Sequence, residues 1–416
     1  MLAEKSAREV ASALLAENDL SLSSCSLLQS LWAGYGQICH VTASPRTQPG
    51  QSQSTNSKES SPKDSGFATP NDTSSYILKL ITPPSASVGD EGHARKILSY
   101  QVEQYFYSHL APQLPRSVPV ASCLASINEH HHDGTSTTAM ILNDLRQNYP
   151  IAGEKRTALF PKHALAALDW LSNFHGFWWP CVNKFERETL VLPPLEEMKR
   201  GSRNAQLRSV WLNGGYTYLA TRQTEYKDLQ EDHESEWAET LTHEVQGESL
   251  SIAQLVAAFL DPESPASSIE DYTTLVHGDV KSENLFASAL GDQVAFYDFQ
   301  YVGLGLGVCD LAKLFTCSVP LNMLVGDEKV PHVLSMQEGE KQLLERYREQ
   351  LVRLSGRKYD WDVFRRHWEI ALVDWLRFQA SWGFWGNKDW LQARVRSILR
   401  DEEWRASVRD AVAARR

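Results

Sequence analysis

Two short stretches of the chain hold oxygen-bearing side chains at a telling spacing: TTLVHGDVKSENLF and, one hairpin later, DQVAFYDFQ. Moving a phosphoryl group requires one carboxylate to orient or deprotonate the attacking hydroxyl, and separate oxygen ligands to hold magnesium against the phosphates. Asp279 supplies the first. Asn284, on the same loop, and Asp298, at the end of the following strand, supply the metal ligands. An Asp-x-x-x-x-Asn loop followed by Asp-Phe fixes the three side chains on adjacent strand ends, so that they converge on one point. A lone His-Gly-Asp would carry little weight; the combined pattern carries much.

The elements that must position this set are legible around it. YILKLI is a short apolar run suited to a buried strand, and Lys79 is its one charge. A lysine in such a strand is costly unless anions balance it. EGHARKILSYQVEQYFYSHL places Leu98, Val102, Tyr105, Phe106 and Leu110 at helical spacing, with Glu103 beside that stripe. SVPVASCLAS and TTAMILNDL read as two more strands. In SLWAGYGQICHVTAS the pair Gly34 and Gly36 would let a backbone turn approach phosphates closely, and would equally make an ordinary hairpin turn. Between that segment and YILKLI lies a stretch rich in Ser, Pro, Gln and Thr, whose composition predicts a mobile inserted loop at about 43–75. Beyond the strands the chain turns helical, as in PKHALAALDWLSNFHGFWW, GEKQLLERYREQLVRL and WDVFRRHWEIALVDWLRFQASWGFWG. The fold class is therefore α+β.

Bulk properties narrow the function further. A chain of 416 residues with 42% hydrophobic residues is long enough for a two-lobed enzyme with a sizeable core. Its formal net charge of -11 argues against a large basic face for nucleic acid or anionic membrane. The start, MLAEKSAREVASALLAE, is amphipathic and lacks the apolar core of a secretory signal, and no stretch is long and apolar enough to span a bilayer, so the cytosol is the expected compartment. Six scattered cysteines without CxxC spacing are expected to be reduced thiols. The sequon at Asn71 is expected to be idle, and His130, His131 and His132 to form a surface turn, because consecutive side chains point in different directions.

The motifs His-Gly-Asp and Asp-Phe-Gln, with LWAGYGQI, EGHARKILSYQVEQYFYSHLAPQLPRSVPV, MILNDL, LNGGYTYLATR and GLGLGVCDLAKL, resemble the aminoglycoside phosphotransferase and choline kinase group, and more closely its ecdysteroid kinase-like branch. The resemblance runs from about Leu31 onward. It implies a two-lobed protein-kinase-like fold with ATP and Mg2+ between the lobes. The division expected is a helical extension over 1–30, a small lobe over 31–142 and a large lobe over 143–416. By the same resemblance, Lys79 contacts the nucleotide phosphates and Glu103 orients it, with Glu91 as the rival glutamate. Asn143, Asp144 and Leu145 form the hinge that reads the adenine edge. Lys281 steadies the transferring phosphoryl group, His277 braces the loop, and Asp310 fixes the loop from behind.

Departures from the protein-kinase pattern bear on the substrate. No arginine precedes Asp279, and only QYVGLGLGVC separates Phe299 from Asp310, too short for a long peptide-docking loop. The expected reaction is transfer of the γ-phosphate of ATP to a hydroxyl of a small metabolite or xenobiotic. The alternatives are a nucleotide-binding pseudokinase acting as an interaction module, which retention of Lys79, Asp279, Asn284 and Asp298 disfavours, and an atypical protein kinase. The tryptophans of the large lobe, among them Trp178, Trp179, Trp211, Trp375, Trp382 and Trp385, are read mostly as core, with an aromatic substrate pocket as the other reading.

Overall fold

The computed structural model describes residues 6–46, 73–84, 89–130, 136–200, 208–245, 249–262 and 270–413. Most of the expected inserted loop, the sequon at Asn71, and His131 and His132 lie outside them. The chain divides into two compact units, Met1–Ser87 with Ala121–Asp144, and Val88–Val120 with Leu145–Arg416.

The first unit is a five-stranded antiparallel sheet backed by one helix. Helix α1 (Ala7–Ala16) opens with a capping box in which Ser6 and Glu9 satisfy each other's backbone N–H groups. The strands are β1 (Leu20–Ser30), β2 (Gly36–Pro45), β3 (Ser74–Ile81), β4 (Cys123–His130) and β5 (Ser136–Asn143), in the order β1-β2-β3-β5-β4. Side chains alternate across a strand. Leu78 and Leu80 of β3 therefore share one face with Cys39, Val41, Ala139 and Ile141, packed on Val10, Leu14 and Leu15 of α1. Lys79 takes the other face, flanked in register by Ile38 and Met140. The expected helical extension over 1–30 is helix only to Ala16; Leu20–Ser30 is an edge strand. Its serine-rich sequence suits an edge, where one neighbour supplies the ladder and most side chains face solvent.

The second unit is mainly helical. Helix α2 (Glu91–Tyr105), N-capped by Asp90, runs into a π-turn at Phe106–Leu110, and short strand β6 (Ile151–Ala152) precedes α3 (Pro161–Trp178). Helices α4 (Pro194–Arg200), α5 (Gln223–Glu231), α6 (Glu236–Thr242) and α7 (Ile252–Leu260) follow. Strands β7 (Thr273–Val276), β8 (Leu285–Ala287), β9 (Val294–Phe296) and β10 (Gly303–Leu306) carry the loops of interest, and α8 (Gly307–Cys317), α9 (Leu321–Val325), α10 (Glu338–Ser355), α11 (Trp361–Trp382), α12 (Lys388–Arg400) and α13 (Glu402–Ala413) complete the unit. The α2 segment, expected with the small lobe, groups with this unit. The cause is packing: Phe106 stacks on Phe299 at 3.7 Å between ring centroids, beside Phe174 and Trp170. Each such fully buried ring stabilises the unit by roughly 1.5–3 kcal/mol. The five-stranded sheet with a helix between β3 and β4, followed by a helical unit bearing the β7–β8–β9 loops, is the protein-kinase-like fold. No described helix is long and apolar enough to cross a membrane, and all six cysteines are free.

Candidate active site

The loop between β7 and β8 carries Asp279, Lys281 and Asn284, and its path is set from behind. Asp310, fully buried in the first turn of α8, accepts hydrogen bonds from the backbone N–H of His277 at 2.7 Å and of Gly278 at 3.0 Å. Burial pushes its carboxyl up, but His175 at 3.2 Å, with Lys313 and His277, outweighs that and holds it below the usual carboxylate range. The other ring nitrogen of His175 lies 2.7 Å from the Tyr347 hydroxyl. Gly278 has φ +87°, and a Cβ there would stand 2.2 Å from the Tyr301 carbonyl oxygen, so only glycine fits.

His277 is a brace, as expected. Its Nε2 donates to the Tyr297 carbonyl at 3.0 Å, and its Nδ1 accepts from the Asp279 N–H at 3.2 Å. Burial lowers its pKa more strongly than Asp310, Asp279 and Asp298 raise it. A ring that donates from one nitrogen and accepts at the other is neutral. Ser282 anchors the far side, donating from its backbone to Ser318 Oγ and from its hydroxyl to the Glu154 carbonyl, both at 2.7 Å.

Asp279 is 7% exposed. Its Oδ2 accepts from Asn284 Nδ2 at 2.9 Å and lies 3.1 Å from Lys281 Nζ, which also reaches Glu283 at 3.6 Å. Burial alone would depress the Lys281 pKa, but Asp279, Glu283 and Asp298 outweigh it and raise the value, so the three carboxylates act on one ammonium. Asn284 Nδ2 also donates to the Asp279 carbonyl at 2.9 Å. With its amide hydrogens turned to Asp279, the asparagine presents its carbonyl oxygen as the remaining donor atom.

Asp298 follows β9 with φ +66°, a left-handed conformation that costs a non-glycine residue about 1–3 kcal/mol and clusters at functional sites. Tyr107 hydrogen-bonds its backbone. A carboxylate and an amide oxygen are hard donors of the kind magnesium takes one or two of, and they fit that ion. Among the described residues no three His, Cys, Asp or Glu side chains cluster as a metal site.

The remaining expected residues are placed as follows. Glu103 is 2% exposed on α2, and its charge, like that of Asp298, raises the pKa of Tyr107 after the larger effect of burial. Its rival Glu91 is paired with Arg95 at 3.0 Å within the same helix. In the first unit Lys79 is 6% exposed. Gly36 needs its missing Cβ for strand packing, since that atom would stand 2.0 Å from the Leu80 carbonyl oxygen, whereas a Cβ on Gly34 would meet nothing. Asn143 ends β5 and accepts from Ser122, while Asp144 accepts from the Ser75 hydroxyl at 2.9 Å. The division between the units falls between Asp144 and Leu145.

Asp279 and Lys281 open into a cavity of about 200 Å³ shared with Tyr216, Lys313, Trp375 and Trp385. Of the tryptophans, Trp178, Trp179 and Trp211 are core, whereas Trp375, itself buried, borders this cavity with Trp382 and Trp385. Of LNGGYTYLATR, Tyr216 lines this cavity, and Gly214 and Gly215 before it hold the backbone on Leu304 and Tyr301 through N–H···O bonds of 2.6 and 2.9 Å. Lys313 was missed by sequence reasoning. Its signal was the one that marked Lys79, a lone lysine in an apolar run, here LAKLF.

The ecdysteroid kinase-like family model matches residues 64–353. Gly34 and Gly36 precede that stretch. No curated protein matches the sequence. Among solved structures, the chain is similar to a macrolide 2'-phosphotransferase from Brachybacterium faecium, at 9% identity over 97% of each chain with a TM-score of 0.39. It is also similar to an ethanolamine kinase from Plasmodium vivax, at 14% identity over 92% of this chain and 84% of that chain with a TM-score of 0.37. A choline kinase from Cryptosporidium parvum Iowa II matches at 12% identity over 96% of this chain and 88% of that chain, again with a TM-score of 0.37. The chain belongs to the ecdysteroid kinase-like family, and with it to the phosphotransferases of protein-kinase-like fold.

Proposed function

We propose that this member of the ecdysteroid kinase-like family transfers the γ-phosphate of ATP to a hydroxyl of a small molecule seated in the cavity beside Asp279. The observation that carries the reading is Asp279 itself, a buried carboxylate fixed by Asn284 and Lys281 yet open to that cavity. The acceptor hydroxyl donates to the carboxylate of Asp279. As its oxygen bonds to the γ-phosphorus, the bond from that phosphorus to the β–γ bridging oxygen breaks, ADP leaves, and the hydroxyl proton passes to Asp279.

Lys281 offsets charge on the phosphoryl oxygens, and Lys79, oriented by Glu103, serves the nucleotide phosphates. Asn284 and Asp298 would hold Mg2+, which when bound neutralises phosphate charge. Gly34 and Gly36 belong to the phosphate-facing turn, and Asn143, Asp144 and Leu145 to the adenine-reading segment. The short run from Phe299 to Asp310 favours small acceptors over peptides, and we place the protein in the cytosol without a nucleic-acid or membrane partner. The test is ADP release from purified protein across a panel of alcohols, amino alcohols, aminoglycosides and sterols, with and without a divalent cation. Release that needs both cation and acceptor is expected; nucleotide binding without release for any acceptor would favour the pseudokinase reading.

A further inference from the structure

The cavity beside Asp279 is lined by an ammonium for which no described residue supplies a hydrogen-bond acceptor. Lys313 is 4% exposed on α8, yet among the described residues no side chain or carbonyl hydrogen-bonds its ammonium. The indole Nε1 of Trp375, 3% exposed on α11, is likewise buried without a partner. Both residues line the cavity. Gly215, at φ +102°, leaves room for the lysine: a Cβ there would stand 2.9 Å from Lys313 Nζ. An ammonium offers three donors and no acceptor, and an indole offers one donor. An ammonium held in a largely buried place without a hydrogen bond is costly, so the partner that suits Lys313 is an oxygen acceptor.

Charge decides which kind. Asp310, on which Lys313 acts, is committed to the backbone of His277 and Gly278 and to His175, and one oxygen of Asp374 is committed to Arg377 at 2.8 Å. Around the cavity stand the cations of Lys155, Arg156, Lys281 and Lys313 against the carboxylates of Asp279 and Glu283. Lys281 already pairs with both carboxylates, so the surplus is positive. An ammonium-bearing acceptor would meet like charge and leave the donors unpaired. Tyr216, Trp382 and Trp385 add aromatic faces.

We propose that the cavity selects an acceptor carrying a carboxylate or similar oxyanion as well as its hydroxyl, on a flat apolar body, with Lys313 receiving the oxyanion while Asp279 receives the hydroxyl. The proposal rests on the phosphotransferase reading of Asp279. The same ammonium would also suit the transferring phosphoryl group. Lys281 is the cation paired with Asp279 at 3.1 Å, whereas Lys313 stands on α8 without an ion pair among the described residues, which favours the acceptor.

Ligand-observed NMR on the full chain, without nucleotide, tests this with three matched probes: 4-(hydroxymethyl)benzoate, 4-(hydroxymethyl)benzamide and 4-(hydroxymethyl)phenyltrimethylammonium. The expected order of affinity is benzoate, benzamide, ammonium, with the first at least about tenfold above the last. Lys313→Met should bring the benzoate down to the benzamide and leave the ammonium probe no weaker. Lys313→Arg should keep part of the preference. The wild-type order and the arginine variant decide the matter should the methionine variant fail to fold. An ammonium probe that binds as well as the benzoate overturns the proposal, as does absence of benzoate binding at millimolar concentration or an unchanged order in Lys313→Met. A methionine variant that weakens inorganic phosphate binding and spares the benzoate assigns Lys313 to the phosphoryl group and also overturns it. Failure of every alcohol to elicit ADP release would sink the kinase reading while leaving this binding order standing, so the two ideas fail separately.

Discussion

The loop His277–Asn284 and the cavity wall of Lys313, Tyr216 and Trp375 border the same carboxylate and treat their polar groups in opposite ways. In the loop nearly every polar group is paired within the chain: two backbone N–H groups on Asp310, both ring nitrogens of His277, the hydroxyl and N–H of Ser282, the amide of Asn284. On the cavity wall, among the described residues, the buried indole N–H of Trp375 has no partner and the ammonium of Lys313 makes no hydrogen bond. Fully satisfied networks rigidify, whereas buried unpaired donors wait for something to bind. On the proposed function, the difference would separate the part that holds a reacting geometry from the part that recognises the acceptor.

The largest effect should come from breaking the carboxylate the two regions share. Asp279→Asn keeps size and neighbours but cannot take a proton, so turnover should fall by about 10²–10⁴-fold with the melting temperature little changed. Steady-state ADP release and a thermal melt on the same preparation check it; undiminished turnover would remove Asp279 from its role. Next is the loop's rear support. Asp310→Ala leaves two backbone N–H groups and His175 without their acceptor in a fully buried place, and should cost about 3–5 kcal/mol of stability, read as a shift in urea midpoint. A shift below about 1 kcal/mol would mean that the loop holds its path without that carboxylate.

The two regions also differ in how legible they were. Asp279, Asn284 and Asp298 announce themselves because their spacing within one hairpin is local, and local spacing survives into the fold. YILKLI and TTAMILN read as strands because both faces are covered, giving continuous apolar runs. Leu20–Ser30 did not, since an edge strand with exposed serines lacks that signal. The choice between Glu91 and Glu103 turns on burial, which helical spacing alone left open. The cavity was opaque because its wall gathers Lys155, Tyr216, Lys313 and Trp375 from distant parts of the chain. Lys313 alone was findable, by the rule already applied to Lys79.

A smaller effect, in pH, sharpens the picture of a loop whose charges are fixed. Burial holds His277 below its ordinary value, so the folded protein keeps the ring neutral while the unfolded chain takes up a proton as pH falls through about 6.5. The unfolded state then binds more protons, and stability drops with falling pH by up to about 1.4 kcal/mol per unit from this one group. Asp310, whose value is lowered, gives up its contribution only in far stronger acid. Urea midpoints at pH 7.5 and 5.5 should therefore differ more in the parent than in His277→Gln, the other histidines being common to both. Equal differences would show that the ring is not held neutral.

The smallest effect compares one substitution in both regions. Trp170 lies under the loop, with its ring 6.4 Å from that of His277 and its Nε1 donating to the Pro119 carbonyl at 3.0 Å. Trp375 lies on the cavity wall, stacked on Phe378 at 5.5 Å, with its Nε1 unpaired. Both are buried, and replacing either by phenylalanine removes similar apolar area. At Trp170 the change also strands a carbonyl, adding about 1–3 kcal/mol to the packing loss. At Trp375 it removes a donor that already bore its desolvation cost, which offsets the packing loss and should leave stability within about 1 kcal/mol of the parent. Urea unfolding of Trp170→Phe and Trp375→Phe in parallel reads the difference directly, since the chemistry of the substitution cancels. Equal losses would mean that the Trp375 N–H is satisfied in solution.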